Sequence, residues 1–180
     1  LFKNAAALED ATKLDVIVFD KTGTLTLGKP EVVEIVTSKG ESKEGVLAVA
    51  ASVEAGSDHP LAQAILRRAE GITAAKAEDF TNLEGMGARA IVAGSEVFLG
   101  NRRLMDSQKI DVGPLLADAE RLQGAGRTVV HLARDKKILA LIAIADASRP
   151  TAIATIKKLQ ERGVQVAMLT GDNKGTAERI

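Results

Sequence analysis

Val16-Ile17-Val18-Phe19-Asp20-Lys21-Thr22-Gly23-Thr24-Leu25-Thr26 is the stretch whose reading decides the fold. A continuous apolar run rich in β-branched residues leads into an acid and then a loop of small residues, the pattern of a buried parallel strand ending at a site. In open α/β sheets ligands gather beyond the carboxyl ends of the strands, so Asp20 is offered to substrate while the sheet fixes its backbone. That is a nucleophile's position. A carboxylate with an ordinary pKa of about 3.9 is already ionised at neutral pH, so its attack on another anion is opposed by charge repulsion. Lys21, the amides of Thr22-Gly23-Thr24 and a bound Mg²⁺ are the groups available to offset that repulsion. A lone Asp-Lys pair after a strand more often caps a turn, so the weight falls on the whole run.

Asp20-Lys21-Thr22-Gly23-Thr24-Leu25-Thr26 resembles the phosphorylation signature of the P-type ATPases, ion pumps of the haloacid-dehalogenase-like superfamily. The resemblance implies that Asp20 accepts a phosphoryl group from ATP, with Lys21 and Thr22 beside it and Mg²⁺ held by Asp20 and Thr22. Phosphatases of the superfamily usually carry a second Asp two residues after the nucleophile, where this chain has Thr22. Without that general acid/base, water is activated poorly and an acyl-phosphate persists, as a pump requires.

Further along, Glu54-Ala55-Gly56-Ser57-Asp58-His59-Pro60-Leu61 places a His before a helix that starts with Pro. Taken alone such a His is most often a cap or surface residue. The segment resembles the Ser-Glu-His-Pro-Leu motif of the heavy-metal subgroup, with Asp58 where the commonest form has Glu, and implies adenine binding by Glu54 and His59. Gly85-Met86-Gly87 and Gly100-Asn101 follow in family order, and by the same resemblance Gly85, Gly87, Gly100 and Asn101 line the nucleotide pocket. A Gly-x-Gly between strands is by itself usually a turn, though glycine also lets a backbone approach a ligand. Arg102-Arg103-Leu104-Met105 is closer to copper-exporting members than to zinc or cadmium ones, and also reads as a solvated helix start.

The last informative run is Val164-Gln165-Val166-Ala167-Met168-Leu169, a second apolar strand delivering Thr170-Gly171-Asp172-Asn173. It resembles the family's Thr-Gly-Asp-Asn element, which makes Thr170 a phosphoryl ligand, leaves room at Gly171 and sets Asp172 near the nucleotide. Asp146-Ala147-Ser148-Arg149-Pro150 resembles the segment where the family's chain re-enters the phosphorylation domain.

Between these landmarks, Asn4 to Thr12 reads as a short helical lead-in, Gly28-Lys29-Pro30 as a turn and hinge, and Val32 to Val36 as a new strand. Glu44 to Val53, Leu61 to Glu70, Val112 to Gln123 and Thr151 to Gln160 have helical spacing. Phe80 to Leu83, Ala88 to Ala93 and Glu96 to Leu99 alternate as an antiparallel meander, and Thr128 to Ala133 with Lys137 to Ala145 form a hairpin across Arg134-Asp135-Lys136. His131 lies in a strand without a partner motif and is taken as structural. The expected fold class is α/β: a haloacid-dehalogenase-like parallel-sheet phosphorylation domain from 1–28 and 146–180, interrupted at 29–145 by an α+β nucleotide-binding domain on an antiparallel sheet.

Composition narrows the alternatives. The 180 residues are 46% hydrophobic and 27% charged, which is enough apolar material for packed cores, and the zero net charge gives no argument for nucleic acid or an acidic lipid surface. No cysteine is present, so disulfides and thiolate metal sites are excluded within the segment. Aromatics make up 2%, too few for a nucleic-acid stacking platform. The apolar run Ile138 to Ala145 is far short of the roughly 20 residues of a membrane helix, and no signal peptide opens the chain.

The resemblance thus implies a soluble, monomeric cytoplasmic-face fragment of a membrane pump, binding ATP or ADP and working with the pump's membrane helices and actuator domain. The expected cargo is Cu(I), with zinc or cadmium export or a free-standing phosphohydrolase as alternatives. The family's later Lys and Gly-Asp-Gly-x-Asn-Asp element do not occur here, so slow turnover or none is expected of this stretch by itself.

Overall fold

The computed structural model describes residues 14–169. The expected lead-in helix at residues 4–12 lies outside them, as do Thr170, Gly171 and Asp172. The chain divides into two compact units, with the divisions between Gly28 and Lys29 and between Ala145 and Asp146.

The first unit opens with β1 (Val16–Asp20), followed by a tight helical turn over Lys21–Leu25. The strand β2 (Thr26–Thr37) then runs without a break across Gly28, Lys29 and Pro30. This corrects the expected turn and new strand there. Proline is tolerated in a strand where its missing N–H faces no neighbour, and β2 is the edge of its sheet, while Gly28 takes φ +71°, a value suited to glycine.

In the second unit follow α1 (Lys43–Glu54), α2 (Pro60–Arg68), β3 (Ala77–Leu83), β4 (Gly87–Val92), β5 (Ser95–Gly100) and α3 (Arg102–Ser107). A 3₁₀ turn at Gly113–Leu115 precedes α4 (Leu116–Gly124), then come β6 (Thr128–Arg134) and β7 (Lys137–Ser148). The helix expected from Val112 therefore starts later, because Gly113-Pro114 closes a tighter turn first. The chain re-enters the first unit through the end of β7, continuing into α5 (Ala152–Glu161) and β8 (Gln165–Leu169).

A six-stranded sheet, ordered β2-β7-β6-β5-β4-β3, carries the second unit, and β3 to β7 pair antiparallel in sequence order. The expected β6–β7 hairpin turns on Asp135 and Lys136, both at positive φ (47° and 62°), the geometry whose twist matches a tight hairpin. Side chains alternate between two cores. Leu99, Leu132, Ala140 and Ile142 belong with Val46, Ala50 and Ile65 from α1 and α2. Phe98, Ala133, Leu141 and Ala143 belong with Leu104, Met105 and Leu122 from α3 and α4. Helices on both faces explain why Ile138 to Ile144 is continuously apolar: it is the buried part of β7. Among the described residues no helix is long and apolar enough to cross a membrane.

His131 belongs to the same interior. It is 1% exposed, pairs across the sheet with Gly100 and Leu141, and its Nδ1 has no hydrogen-bond partner. Burial lowers its pKa, opposed by the Gly100 backbone carbonyl. A buried imidazole that resists protonation favours the fold fully above the unfolded pKa of about 6.5, and that contribution is lost as the pH falls through the lower folded value. His131→Leu removes the titrating group and the orphaned nitrogen. Urea unfolding at pH 7 and pH 5 is therefore expected to show the variant gaining on the parent as the solution becomes more acidic; equal pH slopes for the two proteins would contradict this.

In the first unit β1 and β8 pair parallel, Asp20 opposite Leu169. The expected full burial of β1 is not observed: Val16 and Val18 are 48% and 61% exposed. Among the described residues β8 is its only strand neighbour in that sheet, so alternate side chains are left uncovered.

Candidate functional site

Asp20 ends β1 with extended backbone (φ −69°, ψ 142°), and its side chain is exposed. The loop that follows is tied down from the far end of the sequence. The Thr26 hydroxyl, fully buried, donates to Asp146 Oδ2 at 2.6 Å and accepts the Gly23 N–H at 3.2 Å. The same carboxylate oxygen takes the Gly28 N–H at 3.1 Å. Arg149 adds two bonds, its Nη2 to the Gly23 carbonyl at 2.9 Å and its backbone N–H to the Leu25 carbonyl at 2.8 Å. The bonds to the Asp146 carboxylate and from the Arg149 guanidinium are charge-assisted, the stronger class, and they hold the loop at Thr26, Gly28 and Gly23. Lys21 is buried at 9% exposure, directly after the acid.

Thr26, Asp146 and Arg149 are thus loop-positioning residues that reading the motif alone did not single out. The Asp-x-x-Arg spacing was visible, but its partners lie well over 100 residues away in sequence.

Among the described residues no group of three or more His, Cys, Asp or Glu side chains is gathered to hold a metal ion. A hard cation that takes one or two protein oxygens and completes its shell with water and phosphate fits such a loop, and Mg²⁺ is that kind of ion.

The second unit contains a cleft of about 710 Å³, within the usual range for small-molecule sites. Glu54, His59, Gly85, Gly87, Gly100 and Asn101 all line it, brought together from the α1–α2 connection, the β3–β4 turn and the end of β5. His59 is the N-cap of α2: its Nδ1 accepts the Leu61 N–H at 3.2 Å, which fixes the proton of the neutral ring on Nε2. The ring is exposed, so a donor is presented outward. Glu54 is partly buried, and burial raises its carboxyl pKa against the opposing hydrogen bond from Ser57.

The glycines shape the floor. Gly87 and Gly100 are cross-strand partners, and a Cβ on either would meet backbone: 2.2 Å from the Leu99 carbonyl oxygen for Gly87, 2.1 Å from that of Met86 for Gly100. Asn101 is occupied within the fold. Its Nδ2 donates to the Gly85 carbonyl at 2.8 Å, its Oδ1 caps α3 through the Leu104 N–H at 3.1 Å, and its backbone N–H donates to the Met86 carbonyl at 2.8 Å. Arg103 Nη2 adds a second bond to the Gly85 carbonyl at 3.0 Å. Asn101 and Arg103 therefore hold the Gly85-Met86-Gly87 turn in place.

Residues 14–180 match the family model described as haloacid dehalogenase-like hydrolase. The chain belongs to the haloacid dehalogenase-like hydrolases. Within them it is 42% identical, over its whole length, to copper-transporting ATPase 1 of Rhizobium meliloti (strain 1021), of which it covers 22%. A crystal structure of a zinc-transporting PIB-type ATPase in the E2.Pi state matches 99% of the chain at 38% identity with a TM-score of 0.77, covering 29% of that protein. The catalytic domain of the CPx-ATPase CopB-B, studied for conformational changes upon nucleotide binding, matches 99% of the chain at 26% identity with a TM-score of 0.69, covering 62% of that domain. This haloacid dehalogenase-like chain thus spans about a fifth to a quarter of the length of the curated P-type ATPases it matches.

Proposed function

We propose that this chain is the ATP-binding and autophosphorylating part of a heavy-metal-exporting P-type ATPase at the cytoplasmic face of a membrane. In this reading residues 1–28 and 146–180 belong to the phosphorylation domain and 29–145 form the nucleotide-binding domain. The observation that carries it is the convergence of Glu54, His59, Gly85, Gly87, Gly100 and Asn101 on one cleft.

ATP sits in that cleft with its adenine between the groups offered by Glu54 and His59, over the glycine floor. The carboxylate of Asp20 attacks the γ-phosphorus. A bond forms between the Asp20 oxygen and phosphorus, the bond from phosphorus to the β–γ bridging oxygen breaks, and ADP leaves with that oxygen. Lys21 and the loop amides stabilise charge on the transferring group, while Thr170, with space at Gly171, binds its oxygens and Asp172 lies near the nucleotide. Mg²⁺, when bound at Asp20 and Thr22, neutralises phosphate charge. The absence of an acid/base at Thr22 leaves the acyl-phosphate slow to hydrolyse, which favours a pump over a phosphohydrolase.

Cu(I) is the proposed cargo, supported by the copper-transporting relative at 42% identity. Zinc export is the second reading, favoured by the resemblance to the zinc-transporting structure at a TM-score of 0.77. The remainder of the pump is the partner in either case.

Calorimetric titration of the purified chain tests the nucleotide assignment. ATP and ADP are expected to bind, and His59→Gln and Glu54→Gln each to weaken binding by about tenfold, the loss of one hydrogen bond to a polar ligand group. Burial disfavours ionised Glu54, a contribution that is lost from stability as the pH rises through its raised folded pKa. Glu54→Gln is therefore expected to be at least as stable as the parent at pH 7 while binding worse. Absence of ATP binding by the parent at millimolar concentration contradicts the reading.

A further inference from the structure

We propose that Phe80 is the stacking surface for the purine base and thereby sets the base preference of the cleft, an inference that rests on the nucleotide reading above. Phe80 lines the cleft and is 50% exposed, on a strand whose neighbours Glu78, Asp79, Thr81 and Asn82 are polar. The whole chain has four Phe and no Trp or Tyr. Of the others described, Phe98 is buried in the core beneath α3 and α4, and Phe19 lies in β1 of the first unit. Among the described residues Phe80 is the one phenylalanine at the cleft, whose other ring is the imidazole of His59.

The backbone around it is built to present that ring. Ladder partners run Glu78 to Ile91 and then Thr81 to Arg89, so β3 carries one residue more than β4 across Asp79 and Phe80. Asp79 takes φ +50°, a left-handed conformation uncommon for a residue with a side chain. Bulges of this kind re-aim a side chain and occur beside sites. An exposed ring on an edge strand is otherwise a liability for strand-to-strand association, since β3 ends the sheet. A planar base satisfies it. The cleft is lined by Leu61 and Met86 beside the polar groups of Glu54 and His59, and Phe80 is the exposed phenyl ring of that lining able to take a base face-on.

Because the chain has no tryptophan, Phe80→Trp makes a single indole whose fluorescence reports this position alone. ATP, ADP and adenosine are expected to quench it, and tripolyphosphate is expected not to. In calorimetry Phe80→Ala is expected to weaken ATP about tenfold and to bring ATP and CTP affinities close together, with Phe80→Leu recovering only part of the loss. The parent is titrated first. A parent that binds no nucleotide overturns the nucleotide reading and this inference with it. A parent that binds ATP while Phe80→Ala stays within twofold, with circular dichroism and Tm unchanged, overturns the stacking role alone, as does an indole indifferent to adenosine.

Discussion

Asp20→Asn abolishes phosphoryl transfer from ATP, lowering the single-turnover rate by at least about three orders of magnitude, as expected when a nucleophile is replaced by a group of the same shape that cannot attack. The assay belongs in a polypeptide carrying this segment together with the further elements the family supplies, with acid-quenched radiolabel as the readout. Stability is expected to stay unchanged. Asp20 is exposed, so Asn leaves no cavity, and the loop's shape depends on Thr26, Asp146 and Arg149 rather than on the Asp20 side chain. A variant that still accepts label at the parent rate places the nucleophile elsewhere.

The second large effect is on folding. Gly100→Ala is expected to cost about 3 kcal/mol or more, because overpacking of a closely fitted interior costs that order when nothing flexible can yield. The added methyl would lie 2.1 Å from the Met86 carbonyl oxygen and 2.9 Å from Gly87 Cα, both backbone atoms, and 2.7 Å from Leu104 Cδ2. In a domain of this size the loss corresponds to a Tm lower by on the order of 10 °C. Gly87→Ala meets the Leu99 carbonyl oxygen at 2.2 Å and is strained besides at φ +138°. Gly85→Ala is the control. Its Cβ meets only the end of Arg103 at 3.9 Å, so the φ of +66° sets its cost at about 1 kcal/mol. Calorimetric scans of the three variants decide the matter: equal losses for Gly85→Ala and Gly100→Ala would remove the close strand approach as the cause.

These two sites differ in how far the sequence disclosed them. The Asp20 motif is local, so its strand, its acid and its small-residue loop read directly from consecutive residues. The antiparallel meander was equally legible, since alternation and Gly turns mark β3, β4 and β5 within a short span. What holds the motif was not, because Thr26 meets Asp146 across a separation of 120 residues and no local pattern encodes that contact. The apolar run of β1 predicted burial, but burial depends on how many neighbours a strand acquires, and Val18 stays 61% exposed among the described residues. Pro30 read as a break because its missing N–H breaks interior strands; an edge position, invisible in sequence, removes the conflict. Phe80 gave no signal beyond being an apolar residue in an alternating run. Its exposure follows from the place of β3 at the edge of the sheet, where Glu78 to Asn82 are all exposed, and that place is not written in the local sequence.

Borohydride reduction of the phosphorylated polypeptide, followed by peptide mass mapping, reads the acceptor directly, because an acyl-phosphate on aspartate is reduced to homoserine. Homoserine at position 20 after incubation with ATP and Mg²⁺, and at no other position, is the predicted result. An unreduced Asp20 in a sample that carries covalent phosphate on another residue would contradict the account.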